Sequence, residues 1–522
     1  MQPVTGDERG FAIIIAVALM TLVTIASLVV MTLTQGENSH SRRDQSQDGA
    51  YQAAEAGTNA YLSDLTENNV FFNSWMAKGE ATRTDSGSVA HASSPVANTA
   101  WTWGSNWTYK TARTSDTGWY TIVTPGAGVN QEYQYLIQVY PPNGSLSGAA
   151  QLITRIDVTG RPYNSQDTST WHTIETMLRP SSLTDFQAFL ATSETYGSTA
   201  TTTGPIFVGE DNSGVVGSLT HDGTAKANLY AEGTVSGSTT YQNGAKKYDK
   251  TTSPTALCKL NNCTPVPFST FASTISTVQG AASGGGITLT ATDPTNPALS
   301  GQSPAYKVDA WKLVFQSGGT VLVSSCKKYK SAGGTIYEDW DGMNAPVCGT
   351  ATSKPVPAIG AIYSPVDVIV SGAVHGKVTV ASNADIIYGG NTTYVTGGQD
   401  VLGLESEGDI YIPAWALDAS GNITLYSAQL ALNGAWTAAT NCSANNNFSN
   451  CHVSSSTCNP ASACTMNFYG SSALYGGANG PILMTNLFQA RNYNYDNNLA
   501  YCPPPWFPHL GNAFTILVQR EI

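Results

Sequence analysis

Acid–base chemistry needs a carboxylate beside a basic group, or two carboxylates on one face, and this chain offers few such places. His221-Asp222 sets an imidazole next to a carboxylate, and Glu405, Glu407 and Asp409 fall at alternate positions. Residues two apart on a strand face the same side, so Glu405 and Glu407 would share a face, the arrangement that glycoside cleavage exploits with paired carboxylates. Against that, the seven histidines are scattered (40, 91, 172, 221, 375, 452 and 509) and no H-E-x-x-H, G-x-S-x-G or P-loop motif occurs. Carboxylates in turn-rich stretches usually meet solvent or a calcium ion. The expectation is a protein that is not an enzyme and holds no cofactor.

Cysteine supplies the other reactive set. All nine lie far from the N-terminus: Cys258, Cys263, Cys326, Cys348, Cys442, Cys451, Cys458, Cys464 and Cys502. Loop-flanked clusters of this kind read as disulfides formed in an oxidising compartment. Neighbour pairing would join 258 to 263, 326 to 348, 442 to 451 and 458 to 464, leaving Cys502 single, although sequence does not fix connectivity. A zinc site is the rival reading. It lacks paired C-x-x-C knuckles, and His452 is the one histidine close by, so no metal is expected.

The elements that position these residues read as mostly strand. Charged residues are 11% of the chain, against about 25% in ordinary globular proteins, and Gly, Asn, Ser, Thr and Tyr are abundant. That is the texture of an exported protein with a polar, uncharged surface. A net charge of −12 argues against general nucleic-acid binding, which needs Lys and Arg against phosphates. The clusters Lys246, Lys247, Lys250 and Lys327, Lys328, Lys330 read as solvated loops. Sequons at Asn106, Asn391 and Asn422 are what chance provides in an Asn/Thr-rich chain. Residues 79–100 are polar and linker-like. Then GWYTIVT, EYQYLIQVY, QLITRIDVTG and WHTIETMLR alternate as half-buried strands bounded by turn residues, predicting a four-stranded antiparallel meander over roughly 101–180. From about 186, apolar pieces of three to five residues alternate with Gly, Asn and Asp. This predicts a right-handed β-helix or related solenoid of irregular period, with a β-sandwich as the alternative.

The N-terminus differs from everything after it. Residues 1–10 are polar and end in Arg9-Gly10, and Phe11 to Leu33 contain no charge. At 1.5 Å per residue such a helix would be roughly 35 Å long, enough for a bilayer core. The pattern continues through AYQAAEAGTNAYLSDL, with Ala50, Ala53, Ala54, Gly57, Ala60 and Tyr61 at helical spacing, so a single helix is expected over 11–78. The Gly10-Phe11 junction, the apolar run and Ala53-Ala54-Glu55-Ala56-Gly57 resemble the N-terminus of PilX-type minor pilins of type IV pilus systems. The closing segment FQARNYNYDNNLAYCPPPWFPHLG more loosely resembles the ends of large proteins of that kind, where Pro503, Pro504 and Pro505 would form a strap across the solenoid.

The resemblance implies a class III leader over 1–10, cleavage after Gly10 by a prepilin peptidase, N-methylation of Phe11, a membrane-spanning pilin helix over 11–78, and a pilin-like β head over 79–180. The β-helix-like, disulfide-rich extracellular part would be 181–522. The overall expectation is thus α+β, mostly β. Expected partners are other pilins through the N-terminal helix, the peptidase, the inner-membrane assembly machinery, and a glycan or cell-surface ligand. The expected location is the bacterial cell membrane as a single-pass protein, then the pilus. Major pilins carry Glu at the fifth mature position, where this chain has Ile15. A missing acid there implies a minor subunit at the tip or in a priming complex rather than a bulk one. The alternative function is an adhesin that uses the helix only as a mount, and a carbohydrate-active enzyme is a weaker third.

Overall fold

A computed structural model describes pieces of residues 20–31, then 43–62, 81–83, 107–109, 119–122, 133–140, 154–251, 268–328, 345–438, 464–476, 480–484, 487–488, 490–500 and 503–522. Gly10, Phe11 and Ile15 lie outside the described residues. So do Cys258, Cys263, Cys442, Cys451, Cys458 and Cys502.

The expected membrane-spanning helix is overturned. Among the described residues no helix is long and apolar enough to cross a membrane. Their longest continuous helix, 43–62, carries Arg43, Asp44, Asp48 and Glu55, and its apolar side is a narrow stripe turned to protein rather than lipid. The single-pass membrane location expected from the sequence loses its support with it.

That stripe explains the first layer. Ala50, Ala53, Ala54 and Tyr61 are buried, spaced at three, four and seven residues, against an antiparallel sheet. The sheet runs Tyr120–Ile122, Tyr133–Tyr140, Thr154–Pro162, His172–Ser182 and His509–Glu521 in spatial order. Ile137, Ile156, Val158, Ile174 and Leu178 meet Ala54 and Tyr61 in one apolar cluster. The small helix residues let the two backbones approach closely: a Cβ on Gly160 would stand 1.8 Å from the Ala50 carbonyl oxygen. The last strand comes from the extreme C-terminus. It pairs with His172–Ser182, and Arg520 donates to Glu175 at 2.7 Å while Arg155 reaches Glu175 at 3.0 Å and Asp157 at 2.6 Å. Both carboxylates are buried, so this pairing fixes the strand more firmly than exposed charges would.

The second body is a stack of parallel coils. The chain enters it through a 3-10 turn at Leu183–Asp185, capped reciprocally by Ser182 and Asp185, with Arg179 paired to Asp185. Its first coil strand, Ala188–Leu190, lies in the middle of the stack. From there the chain winds one way through Ile206–Val208, Leu229–Ala231 and Lys247–Asp249, each parallel to the last. A second run starts at the opposite end with Ile287–Thr288 and returns through Ala361–Ser364, Lys377–Ser382, Val401–Ser406, Ile423–Ala431 and Thr465–Leu474. Ser472–Leu474 then pairs in parallel with Ala188–Leu190 and closes the stack. Inward positions are almost all Val, Ile, Leu and aromatic residues, as buried parallel strands require. Coils differ in length, and the register slips between Val370 and Gly372, so no fixed period shows in the sequence.

Outside one face of the stack lies a further apolar layer. The helix Thr274–Ser283 and the turn Phe268–Phe271 bury Ile275, Val278, Phe268 and Phe271 against Phe189, Phe207, Tyr363 and Leu430. Pro503–Pro505 are buried there as a strap. The Thr379 hydroxyl donates to the Pro505 carbonyl, and Trp506 Nε1 donates to Ile359 O at 2.8 Å.

Gly160→Ala should destabilise the fold by about 1–3 kcal/mol, because backbone on both sides must move to admit the methyl group. Gly301→Ala, with open space around it, should stay within about 0.5 kcal/mol. Urea unfolding of the two variants checks the contrast.

Candidate ligand-binding cleft

The residues that sequence singled out for acid–base chemistry are placed apart. Glu405 sits in the outward column Leu430–Glu405–Ala381, but that column is roofed by the helix Thr274–Ser283, and Glu405 is fully buried. Thr274 lies close, yet its hydroxyl donates to Phe271 O at 2.9 Å, and neither Glu405 oxygen has a hydrogen-bond partner among the described residues. Burial pushes its carboxyl up to about 8. Glu407 lies beyond the end of the strand, where its side chain accepts from Asn433 at 2.7 Å. Strand alternation therefore does not bring the two carboxylates together.

Asp409 belongs to a turn ladder. Asp367 accepts from the Asp385 amide at 3.1 Å, Asp385 from the Asp409 amide at 2.8 Å, and Asp409 from the Ala435 amide at 2.7 Å. Each carboxylate caps the next coil. Burial, with the like charges of Asp367 and Asp409 adding to it, raises Asp385 to about 6 in spite of its backbone bond. His221 is buried, stacked on Tyr196 with 5.4 Å between ring centres, and its Nε2 lies 3.2 Å from Thr202 Oγ1. Burial lowers its pKa, which favours the neutral ring. Asp222 instead accepts from Ser238. These groups build coils, and no acid–base pair results.

Of the cysteines, Cys326 and Cys348 form a disulfide across antiparallel strands. Cys464 is disulfide-bonded to a residue outside the described ones. Among the described residues no three His, Cys, Asp or Glu side chains gather as a metal site.

The Cys326–Cys348 bond borders a feature that sequence reasoning missed. At the end of the stack where the second run begins, Ala310–Gln316 turns back into Thr320–Lys327, and Thr352–Pro355 adds a third antiparallel strand. In this register Trp311 faces Ser325, Val323 faces Thr352, and Val321 faces Lys354, so these side chains share one face. The segment from Thr288 to Thr295 passes over it, and a cleft of about 260 Å³ remains between them.

The cleft walls are held from behind. Trp311 Nε1 donates to Thr290 O at 2.8 Å. Asp293 accepts from Ser325 Oγ at 2.6 Å, Thr295 Oγ1 at 2.6 Å and Thr295 N at 3.0 Å. Asn296 Nδ2 in turn reaches Ser325 O and Oγ at 3.1 and 2.9 Å. Burial acts to raise the Asp293 carboxyl, but the hydrogen bonds from Ser325, Thr295 and the Asn296 amide outweigh it and hold it below the ordinary range. By contrast, the hydroxyls of Thr288, Thr350 and Thr352 and the Lys354 ammonium have no hydrogen-bonding partner among the described residues. A Trp on an alternating strand, upstream of Cys326 and Cys348, is the signal that sequence offered.

No family model matches the chain, and no curated protein matches it. Among solved structures it is similar to the competence-associated pilin ComZ from Thermus thermophilus, at 12% identity and a TM-score of 0.29, over 91% of this chain and 97% of that one.

Glu405 carries a pH prediction. Its folded value is raised from the ordinary 4.5 to about 8, so its contribution to stability is complete below about 4.5 and is lost as pH rises toward about 8. In that window the unfolded chain releases a proton that the folded chain keeps, at a slope of at most roughly 1.4 kcal/mol per pH unit for one group. Glu405→Gln should flatten this decline. Urea unfolding at about pH 5 and about pH 8 compares the two proteins.

Proposed function

We propose that the protein is a pilin-related subunit of a type IV pilus-type filament, processed between Gly10 and Phe11, with its β solenoid displayed outward. The observation that carries this reading is the packing of helix 43–62 on an antiparallel sheet. The Ala53-Ala54-Glu55-Ala56-Gly57 segment that motivated the pilin resemblance is the very stretch that enters this interface, with Ala53 and Ala54 buried and Glu55 exposed. A helix carried on a small sheet is a handle that neighbouring subunits can pack against. The residues N-terminal to it are the natural contacts for other pilins.

The solenoid sets the copy number in this reading. Its coils and roof occupy most of residues 186–508, far more than the helix-bearing head. A body of that size on every subunit of a close-packed shaft would collide with its neighbours, whereas a terminal or sparse position leaves room. Ile15 agrees, since a subunit without an acid there offers no partner for a neighbour's N-terminal amine. The subunit therefore works at or near the tip, in initiation and in surface attachment.

Immunogold labelling of sheared, purified filaments with antibody to residues 186–508 tests this. Gold at filament ends or at rare positions is expected. Dense labelling along whole shafts would reject the terminal position, and absence of the protein from the filament fraction would reject the filament role.

A further inference from the structure

We propose that the cleft between Thr288–Thr295 and the strands Ala310–Gln316, Thr320–Lys327 and Thr352–Pro355 binds a neutral sugar ring, the terminal residue of a glycan. The proposal goes beyond the filament reading and does not depend on it.

A pyranose has apolar C–H faces and a rim of hydroxyls that both donate and accept. The cleft presents the complement of each. Trp311 lines it with its indole N–H already committed to Thr290 O, so what the side chain offers a ligand is its apolar ring. Val323 extends that apolar strip. Around it stand groups that lack hydrogen-bonding partners among the described residues: the hydroxyls of Thr288, Thr350 and Thr352, and the Lys354 ammonium with three donors. Asp293 adds a fixed acceptor. Hydrogen bonds from Ser325, Thr295 and the Asn296 amide hold its carboxylate in place and below the ordinary protonation range, so it brings a fixed negative charge to the cleft.

Size and rigidity agree with this assignment. A volume of about 260 Å³ suits one ring with its substituents and is small for a peptide or an oligonucleotide. Trp311, Val323, Thr352 and Lys354 rest on antiparallel strands stapled by Cys326–Cys348, and Asp293 on its network with Ser325 and Asn296. A site that need not reorganise loses less free energy on binding. Charge sets the selectivity. Lys354 alone would favour an acidic ligand, but the ionised Asp293 in the same cleft opposes a second carboxylate or a phosphate, and a neutral ring with vicinal hydroxyls satisfies both.

The test uses the full chain and free sugars: the methyl glycosides of glucose, galactose and N-acetylglucosamine, with glucuronate as the anionic probe. Saturation-transfer NMR and tryptophan fluorescence titrations should show saturable binding of at least one neutral glycoside. Trp311→Ala should weaken it about tenfold. Thr352→Val, at an exposed position where folding is not at stake, should weaken it about three- to fivefold while leaving the melting curve unchanged. Failure of all three neutral glycosides to bind saturably would overturn the proposal. So would binding that Thr352→Val leaves intact, or glucuronate binding tighter than every neutral probe. None of these readings depends on filament incorporation, so the filament reading stands or falls separately.

Discussion

Ala188–Leu190 is hydrogen-bonded along both edges, to Ile206–Val208 on one side and to Ser472–Leu474 on the other. The first coil laid down is thus an inner coil of the finished stack, and one of its edges stays open until the last coil arrives. Everything else in the solenoid follows from that. One run winds outward from this coil, the other winds in from the opposite end, and the apolar interior becomes continuous only where the two meet. Polar groups hold the junction. Ser471 Oγ donates to Phe186 O at 2.6 Å across 285 residues, and Glu194 accepts from the Ile482 amide at 3.1 Å across 288. Burial raises Glu194 to about 7, with the Thr195 and Ile482 amides opposing it, so this clamp is also a titrating one.

The same closure couples the two bodies. Pro508 accepts from Ser182 Oγ at 3.1 Å just where the chain leaves the head for the stack, and the strand that follows joins the head sheet. The solenoid is therefore held on the head by both its entering and its leaving segments. Such a mount transmits load between body and head through two segments rather than one. It also makes the topology one of long-range contacts, whose loop-closure entropy must be met before the contacts form.

Much of the local structure was legible in the residues. Apolar triplets between Gly, Asn and Asp became short coil strands, and the alternation in YQYLIQVY and TRIDVTG became head strands, because period and turn chemistry are local. The continuation of the N-terminal apolar run into one bilayer-crossing helix was misjudged. Helix 43–62 has small residues on one side and charges on the other, a pattern that fits a sheet as well as it fits a rod. The order of coils was not legible, since parallel pairing between residues hundreds of positions apart leaves no local mark. The C-terminal strand His509–Glu521 was not anticipated in the head sheet, since nothing in its residues names His172–Ser182 as the partner. At the candidate sites, Glu405 and Glu407 matched a strand period yet were separated by a roofing helix and a strand end. The cleft was hidden because Thr and Ser are common throughout this chain, and only register brings Trp311, Ser325, Thr352 and Lys354 to one face.

The closure of the two runs can be read directly by native-state hydrogen exchange. The Ala191 amide donates to Leu474 O at 3.0 Å, and the Ser472 amide to Gln187 O at 2.9 Å, so both report on the junction alone. The structure requires them to exchange as slowly as amides in the middle of the second run, such as Val380, since all open with the same stack. Exchange of both at the rate of exposed turn amides, with Val380 still protected, would mean that the two runs do not meet and would contradict the account.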